Sequence, residues 1–292
     1  MIKTWSTPVV PEETAPVPCA LCGGRRFKPK FFCGSFSYVR CVRCGLVQIN
    51  PQPSGGAVRG RYREGRGDDY LAYELANEKS FLALQELSLA DAGFGELEGE
   101  LLRRAAAGGR KAGVLDIGCA TGALLGVLRG RGWDCRGVEI SPAAEYARRE
   151  RALEVSRLPL EENHFQDDAF DLALASHLIE HLNEPAGLAR EVYRVLRPGG
   201  RFMVTTPNIA GFQARLFGGR WRSAIFDHLY LFSARTLGAL LEGAGFYVEK
   251  TVTWGGLAAG TAPAFLKGPA DRWAKRFGFG DVMLLRARKP DL

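Results

Sequence analysis

From residue 110 onward, short apolar runs alternate with stretches of helical periodicity. The apolar runs are AGVLDIG (112–118), DCRGVEIS (134–141), AFDLALAS (169–176) and RFMVTTPN (201–208), and a helical stretch follows each of the first three. Parallel strands are buried on both faces, so they appear as nearly continuous apolar runs, and they need crossover connections, usually helices. The alternation therefore predicts an α/β fold with a Rossmann-like, mostly parallel sheet covered by helices on both faces.

The last two apolar runs break this alternation. FYVEKTVTW (246–254) and DVMLLRARK (281–289) have the composition of strands, and the segment between them has no convincing helical pattern. These runs predict an antiparallel terminal hairpin that closes one edge of the sheet. The intervening residues 255–278 are compatible with a lid, a dimer contact or a membrane-surface patch.

Five of the seven cysteines fall within residues 19–44, and four of them have the spacing C-x2-C-x18-C-x2-C. Such clustering favours a metal over disulfides in a cytoplasmic chain. Each C-x-x-C precedes a glycine and forms a tight knuckle, and two knuckles supply the four thiolates of a closed tetrahedral site that suits structural Zn²⁺. The predicted ligands are Cys19, Cys22, Cys41 and Cys44. A small unit with such a site is a zinc ribbon. Non-ligating thiols and an iron–sulfur cluster are the alternatives, and Cys33 is expected to be buried in the ribbon.

The ribbon and the net charge of +7 raise the question of nucleic-acid binding. The residues between the knuckles include five basic and five aromatic side chains, which suit either a stacking platform for bases or the core of a β-hairpin. The sequence has no run of five like charges, and arginine accounts for most of the excess. We therefore favour a hairpin core with scattered, solvated arginines, and expect no nucleic-acid partner.

The chain divides at a breaker-rich segment, NPQPSGG (50–56). We predict an N-terminal arm and zinc ribbon at 1–56, a helical linker or cap at 57–109, and the α/β domain at 110–292. The sequence has no 18-residue apolar run and its start lacks the apolar core of a signal peptide. The expected location is the cytoplasm, without stable membrane insertion, and the oligomeric state stays open.

The first strand of the α/β domain, GVLDIGCATG, ends in an acid followed by glycines at 118 and 122. Glycine lacks Cβ, so the backbone can turn sharply and approach a ligand. The spacing D-x-G-x-x-x-G differs from the G-x-G-x-x-G of nicotinamide sites, where a helix N-terminus meets pyrophosphate. The negative charge of Asp116 opposes a phosphate and favours a cationic or zwitterionic ligand. Glu139, 23 residues later, ends the next strand where a carboxylate takes both ribose hydroxyls. A ribose with a cation and no phosphate describes S-adenosylmethionine.

Residues 110–290 resemble class I S-adenosylmethionine-dependent methyltransferases. The matching pieces are VLDIGCATG, GVEIS, LPLEENHFQDDAFDLALASHLIEHL, VYRVLRPGGRFMVTTPN and FSARTLGALLEGAGF. The resemblance implies that Glu139 holds the ribose, with Ile140 against the adenine and Leu158 flanking it. It implies further cofactor contacts from Asp116, Gly118, Cys119, Ala120, Thr121, Gly122, Ser176 and His177.

Two signatures of methyltransferases that act on nucleic acids are missing. The [DN]-P-P-[FY] segment of enzymes that methylate exocyclic nitrogens is replaced by ASHLIEH, and no cysteine lies between residues 136 and 292. His177 and His181, four residues apart in SHLIEHL, are predicted on one face of the helix after the fourth strand. His181 can then reach an acceptor or buttress the helix, and a metal held by His177, Glu180 and His181 is an alternative, as in quinone O-methyltransferases.

FDHLYLFS (226–233) supplies the other base candidate, in a segment expected to form a lid. An acid next to a histidine raises its basicity or fixes its tautomer, which gives Asp227 and His228 a possible catalytic pairing, with Tyr230 nearby. This stretch resembles the E-H-x-x-x-F-S segment of zinc-containing deoxysugar C-methyltransferases, with Asp in place of Glu, although 292 residues leave no room for their C-terminal domain. Short zinc-ribbon methyltransferases of glycan and secondary-metabolite clusters are similar over more of the chain.

The sequence thus predicts a zinc ribbon joined to a methyltransferase that uses S-adenosylmethionine. Its expected acceptor is a small polar molecule such as a sugar or secondary metabolite. O-methylation is favoured over C-methylation, with His228 or His181 as the base and the ribbon against the acceptor site. The rivals are an RNA methyltransferase guided by the ribbon, and a protein that binds S-adenosylmethionine or a partner without turnover.

Overall fold

A computed structural model describes residues 13–63, 67–255 and 264–291. The strands in these ranges are β1 (Thr14–Ala15), β2 (Phe27–Cys33), β3 (Phe36–Cys41), β4 (Val47–Ile49), β5 (Gln52–Pro53), β6 (Gly113–Ile117), β7 (Asp134–Val138), β8 (Val155–Ser156), β9 (Phe170–Ser176), β10 (Leu196–Pro207), β11 (Tyr230–Leu231), β12 (Tyr247–Trp254) and β13 (Val282–Arg288). The helices are α1 (Gly55–Arg63), α2 (Gly67–Asp91), α3 (Phe94–Ala107), α4 (Ala123–Gly130), α5 (Ala143–Arg151), α6 (Pro185–Val195), α7 (Phe212–Phe217), α8 (Ala234–Gly243) and α9 (Ala264–Phe277). Short 3-10 turns cover Leu160–Glu162, Ile179–His181 and Gly218–Arg220.

The main sheet has seven strands in the order β12-β13-β10-β9-β6-β7-β8. The strands from β10 to β8 run parallel, and β13 lies antiparallel between β10 and β12. The predicted fold class and its terminal antiparallel hairpin are confirmed. The strand order reverses beside β6, so the carboxyl ends of β6, β7 and β9 form the switch point where α/β sheets bind ligands.

The central strands β6 and β9 are apolar apart from one aspartate each and the terminal Ser176, because helices cover both of their faces. Leu115 of β6 belongs to a core that includes Leu188 and Val192 of α6. Its neighbour Val114 faces the opposite layer, with Leu101 of α3 and other residues of α3 to α5. The alternation of helix and strand in the sequence therefore corresponds to two helical layers around one sheet.

Three helices, α1 to α3, precede the main sheet. α3 buries Leu97 and Leu101 against it, whereas α2 lies against α4 and α5. An ion pair of 2.6 Å joins Glu78 of α2 to Arg151 of α5. α2 thus covers the carboxyl ends of the strands rather than the body of the sheet. Within the described ranges, no helix is both long and apolar enough to cross a membrane.

A helix, α9, occupies part of the segment where the sequence predicted none. Its sequence contains Gly268-Pro269, a pair that is typical of turns and breaks helical periodicity. The helix nevertheless packs against β12: Ala274 is buried, and its carbonyl oxygen accepts a hydrogen bond of 3.1 Å from the Thr253 hydroxyl. Tertiary packing outweighs the local propensity here.

The cysteine-rich segment is continuous with the large domain. Its strands β2, β3 and β4 form an antiparallel sheet whose fourth strand is β11, in the order β11-β4-β3-β2. The register pairs Tyr230 with Gln48 and Leu231 with Val47. Leu46 of the ribbon shares a buried core with Tyr230 of the large domain. Residues almost two hundred positions apart in sequence therefore form one small sheet.

Candidate active site

The turn after β6 depends on two glycines with a left-handed backbone. Gly118 and Gly122 both have φ of 73°, a region that residues with Cβ rarely adopt. A Cβ at Gly122 would come within 2.6 Å of Leu153 Cδ1, and one at Gly118 within 3.3 Å of Leu178 Cδ1. Both the backbone conformation and the close packing require glycine, and residues 118–121 of the turn line a cavity.

Asp116, the last acidic residue before this turn, is buried beneath it. Burial first, and then the negative charge of Glu139, raise the pKa of Asp116 to about 7. The sequence predicted an anionic strand end at this position. In the absence of a ligand, the carboxyl is instead shared between its charged and neutral forms near neutral pH.

Glu139 ends β7 beside the turn. One of its carboxylate oxygens accepts a hydrogen bond of 3.0 Å from the Ala120 amide, and the other accepts one of 2.8 Å from the Ser141 amide. A carboxylate has about four acceptor positions, so each oxygen keeps one for a ligand hydroxyl. These two amides orient the carboxylate toward the cavity, as a ribose site requires.

One cavity of about 2900 Å³ extends from this turn toward the ribbon. Of the predicted cofactor residues, its wall includes Gly118, Cys119, Ala120, Thr121, Glu139, Ile140, Ser176 and His177. Leu158 instead has 47% of its surface exposed, and Pro159 and Leu160 line the cavity in its place. Drug-sized ligands occupy about 300–1,000 Å³, so the cavity is large enough for a nucleoside and a second molecule.

Helix α2 contributes polar groups that the sequence analysis missed. Glu78 accepts a hydrogen bond of 2.6 Å from the Thr121 hydroxyl in the turn. Glu74 lines the same wall, and burial, followed by the charge of Glu139, raises its pKa to about 7. The sequence signal for these residues was weak because α2 has no motif, only acids spaced four apart on an ordinary helix.

The segment after β9 differs from its prediction. Ile179–His181 is a 3-10 turn and α6 begins only at Pro185, so His177 and His181 do not share a face of an α-helix. Glu180 is fully buried and accepts a hydrogen bond of 2.9 Å from the Thr206 hydroxyl. Burial alone would raise its pKa, but the hydrogen bond from His177 and the charges of the nearby histidines lower it to about 2. Glu180 is therefore a carboxylate at any physiological pH.

His181 and His228 meet at the far end of the cavity. Their ring centroids are 4.7 Å apart and the rings are nearly perpendicular. The Tyr62 hydroxyl of α1 lies 3.1 Å from His181 Nδ1. Ligand-capable atoms of Glu180, His181 and His228 all lie within 4.8 Å of one another. The structure thus brings together two histidines that are 47 positions apart in the sequence, and it adds a tyrosine that no motif marked.

The partner that orients His228 is a carbonyl and not the predicted Asp227. His228 Nδ1 lies 2.8 Å from the Ser223 carbonyl oxygen, an acceptor, so Nδ1 carries the proton and Nε2 keeps a lone pair. Asp227 forms an ion pair of 2.6 Å with Arg61 of α1. Burial, and then the charge of His181, lower the pKa of His228 to about 4, although Glu180 acts in the opposite direction. His228 is therefore neutral at pH 7 and keeps a lone pair on Nε2, although burial makes it a weaker base than a free imidazole.

FDHLYLFS is not a lid. His228 has only 8% of its surface exposed, and the next residues form β11 in the ribbon's sheet. Tyr230 is 2% exposed, and its hydroxyl lies within hydrogen-bond distance of the Asn183 carbonyl and the Gln52 side chain. This tyrosine therefore joins the ribbon to the large domain, and it does not line the cavity.

The four predicted metal ligands are brought together. Cys19 Sγ lies 3.4 Å from Cys44 Sγ, and Cys22 Sγ lies 3.6 Å from Cys41 Sγ. Sulfurs bound tetrahedrally to zinc at about 2.3 Å lie about 3.8 Å apart, so the spacing fits that ion. Cys33 is separate: its sulfur contacts the Gly219 carbonyl at 3.4 Å.

The ribbon forms part of the support beneath His228. The buried Tyr38 hydroxyl lies 2.7 Å from the His228 carbonyl and 2.9 Å from the Ile225 carbonyl. The Leu229 carbonyl accepts a hydrogen bond of 2.9 Å from the Ile49 amide of β4. The position of His228 thus depends on the fold of the cysteine-rich segment.

Comparison with known proteins assigns the chain to a family. A family model described as a methyltransferase domain matches residues 90–251, more than half of the chain. A probable S-adenosylmethionine-dependent methyltransferase of Mycolicibacterium smegmatis is 41% identical over 86 residues, 30% of this chain and 32% of that protein. A ubiquinone biosynthesis O-methyltransferase of Aeromonas salmonicida is 30% identical over 102 residues, 32% of this chain and 43% of that protein. The chain thus matches less than half the length of these relatives.

A solved structure shares the fold. It is a SAM-dependent methyltransferase of Thermotoga maritima, described as a possible histamine N-methyltransferase. The two chains are 24% identical, with a TM-score of 0.50 over 72% of this chain and 96% of that one. At this level of identity, the similarity concerns the arrangement of helices and strands alone.

Proposed function

Because this chain belongs to the class I S-adenosylmethionine-dependent methyltransferase family, we propose that it methylates a hydroxyl group of a small polar acceptor, a sugar or a secondary metabolite. The observation that carries the proposal is the geometry of His228: it lines the cavity, its Nδ1 donates to the Ser223 carbonyl, and its Nε2 therefore keeps a lone pair. A base is needed when the nucleophile must lose a proton during attack, as a hydroxyl does.

The proposed cofactor site lies at the carboxyl ends of β6 and β7. Glu139 would hold the ribose hydroxyls, and the turn at 118–122 would face the methionine portion. S-adenosylmethionine supplies a methyl group on a positively charged sulfur, and its transfer leaves neutral S-adenosylhomocysteine. The negative charge of Glu139, together with that of Asp116 in its ionised form, suits such a cation and disfavours a diphosphate at the same place.

The acceptor site would lie at the other end of the cavity, between α1 and the two histidines. His228 Nε2 would take the proton from the acceptor hydroxyl as the new oxygen–carbon bond forms. The nearby Glu180 carboxylate would then stabilise the resulting imidazolium. His181, held near Tyr62, would position the acceptor or serve as the base itself. Since the catalytic task is mainly alignment in a dry pocket, buried side chains suit it.

O-methylation is favoured over C-methylation by one further observation. The relative from Aeromonas salmonicida is named as an O-methyltransferase, and its similarity extends over 102 residues. The ribbon would hold structural Zn²⁺ through Cys19, Cys22, Cys41 and Cys44, and its sheet would support the acceptor end of the cavity. We propose no nucleic-acid partner.

Glu139→Gln tests the cofactor site. We expect S-adenosylhomocysteine to bind about 10- to 100-fold more weakly, because hydrogen bonds to a charged group contribute about 1.5–3 kcal/mol. Isothermal titration calorimetry measures the dissociation constant, and Glu154→Gln at an exposed position serves as the matched control. Tight binding of NAD with no heat from S-adenosylhomocysteine would overturn the proposal. Tight cofactor binding without methyl transfer to any hydroxylated acceptor would favour a non-catalytic binder, and transfer to RNA would favour the RNA rival.

The raised pKa of Asp116 predicts a pH-dependent affinity. A bound cation favours the carboxylate form, so binding displaces a proton from Asp116 whenever that group is protonated beforehand. The pKa of about 7 without ligand therefore means that affinity for S-adenosylmethionine rises as pH increases from about 6 to 8. Asp116→Asn should flatten this dependence. Glu74 titrates over the same range, so Glu74→Gln measures how much Glu74 contributes to the pH dependence of the affinity. An unchanged pH profile in Asp116→Asn would contradict the assignment.

A further inference from the structure

Helices α7 and α9 together present large apolar side chains to solvent. They are Phe212 and Leu216 of α7, Trp273 and Phe277 of α9, and Phe279 just after α9, with exposed fractions between 45% and 68%. Isolated apolar residues are normal on protein surfaces, but five neighbouring large ones require an explanation. We call these five residues the apolar face.

Direct contacts show that the face is contiguous. The Phe212 amide donates a hydrogen bond of 2.9 Å to the Phe279 carbonyl, and the Phe279 amide donates one of 2.9 Å to the Ala274 carbonyl. The Trp273 and Phe277 rings are 5.1 Å apart. The exposed apolar side chains of the two helices therefore belong to one surface.

The charge around this face is predominantly positive. Five cations, Arg215, Arg220, Arg272, Lys275 and Arg276, are exposed on the same two segments. Residues 212–220 and 272–280 contain no Asp or Glu, although Asp271 directly precedes the second segment and the buried Asp281 directly follows it. The Arg215 guanidinium lies 5.2 Å from the centre of the Phe279 ring, and Lys275 pairs with Asp91 of α2. The face combines tryptophan and phenylalanine with a surplus of positive charge.

We propose that this face docks on the surface of an anionic phospholipid membrane. Interfacial surfaces bury apolar side chains at the boundary between headgroups and acyl chains while basic residues meet anionic headgroups. Tryptophan is enriched at that boundary because its ring is amphipathic. Each basic residue near an anionic leaflet contributes attraction that salt screens. This docking goes beyond the proposed methyl transfer and does not depend on it.

Charge and side-chain chemistry disfavour two other occupants. A second copy related by a twofold axis would bring two predominantly positive surfaces together, which costs energy when their charges are desolvated. Nucleic acid matches the charge, but sequence-specific reading of its bases requires side chains that donate and accept hydrogen bonds, so only non-specific stacking of a single strand competes with a membrane. The only amide or hydroxyl side chain in residues 212–220 and 272–280 is Gln213, which is buried.

The cavity lies next to this face. Arg272 and Lys275 line the cavity as well as flanking the apolar side chains, and so does Gln213 of α7. A membrane docked here would adjoin one side of the cavity wall.

Vesicle flotation tests the docking with the full chain. We expect binding to vesicles of phosphatidylcholine mixed with phosphatidylglycerol, weak binding to phosphatidylcholine alone, and release by added salt. Arg276→Glu should weaken binding on the order of tenfold or more, because each basic residue contributes about 1 kcal/mol at an anionic surface and the reversal also adds repulsion. Trp273→Ala should also weaken it. Tyr247→Ala, at the far end of β12, and Arg149→Glu, on α5, are the matched controls.

Several outcomes would overturn the docking proposal. These are equal binding to both vesicle types, no binding to either, or equal losses in the variants and their controls. Salt-sensitive binding of single-stranded RNA that depends on Trp273 and exceeds vesicle binding would assign the face to nucleic acid instead. A concentration-dependent dimer that Trp273→Ala dissociates would assign it to a second copy. None of these measurements requires methyl transfer, so a failed activity assay leaves the docking test intact.

Discussion

Replacing His228 with glutamine is expected to lower the rate of methyl transfer by about 10²- to 10⁴-fold, the usual contribution of a general base. Glutamine keeps the polarity and approximate size of histidine and can still donate to the Ser223 carbonyl. It has no basic lone pair to take the acceptor's proton. The affinity for S-adenosylhomocysteine should stay within a few-fold, because Glu139 and the turn at 118–122 lie at the other end of the cavity.

Two further variants make this result specific. His164→Gln changes an exposed histidine in a loop and should leave the rate unchanged. His181→Gln distinguishes the two base candidates: a loss larger than that of His228→Gln would move the base to His181. If both variants kept full activity with a hydroxylated acceptor, base-assisted O-methylation would be wrong.

Removing the metal is expected to unfold the ribbon and abolish methyl transfer at the same time. Structural zinc contributes about 10–16 kcal/mol to the folding of zinc-finger peptides, and the cysteine-rich segment is too short for a large core of its own. Cys41→Ser should reduce bound zinc from one ion per chain to near zero and lower the melting temperature. Activity should fall as well, because Tyr38 and β4 of the ribbon support the backbone at His228.

Cys33→Ser is the matched control, since this cysteine lies in the same ribbon but outside the four-sulfur cluster. It should keep one zinc per chain, measured by elemental analysis, and nearly full activity. Visible absorbance from iron in the purified protein would contradict zinc. So would unchanged metal content in Cys41→Ser.

The sheet was predictable because its signal is local. β6 and β9 are buried on both faces, so their sequences are apolar almost throughout, and glycines at 118 and 122 mark a turn that no other residue fits. The cysteine spacing likewise follows from the geometry of two knuckles. In each case one short stretch of sequence contains all the residues that determine the local structure.

The end of the cavity that contains His181 and His228 was less predictable, because its contacts join segments that are distant in the sequence. Asp227 precedes His228 in sequence, but it pairs with Arg61, which lies 166 positions earlier. Nothing near His228 in the sequence indicated that a Ser223 carbonyl would hold its ring. Tyr62 lies on a helix without a motif, and its role depends on how α1 packs over the 3-10 turn at 179–181.

For α9 the local sequence led to a wrong prediction, because tertiary packing overrides the rule that Gly-Pro breaks a helix. Gly268-Pro269 disfavours a helix by any propensity scale, yet α9 packs along β12 through Ala274. The same packing leaves Trp273 and Phe277 outside. A segment dismissed as irregular thus supplies much of the apolar face.

The strand shared between ribbon and large domain also limits how this protein can be recombined. β11 completes the sheet of β2, β3 and β4, and Arg235 at the start of α8 donates to the Cys44 carbonyl at 2.8 Å. A chimera that exchanges only the ribbon for that of a homologue would break the pairing of β11 with β4 and the contact between Arg235 and Cys44. This holds even if the two sequences are joined in the linker at residues 50–56. A chimera that keeps both the four-cysteine cluster and the shared sheet must therefore transplant residues 19–49 and 223–235 as a single module.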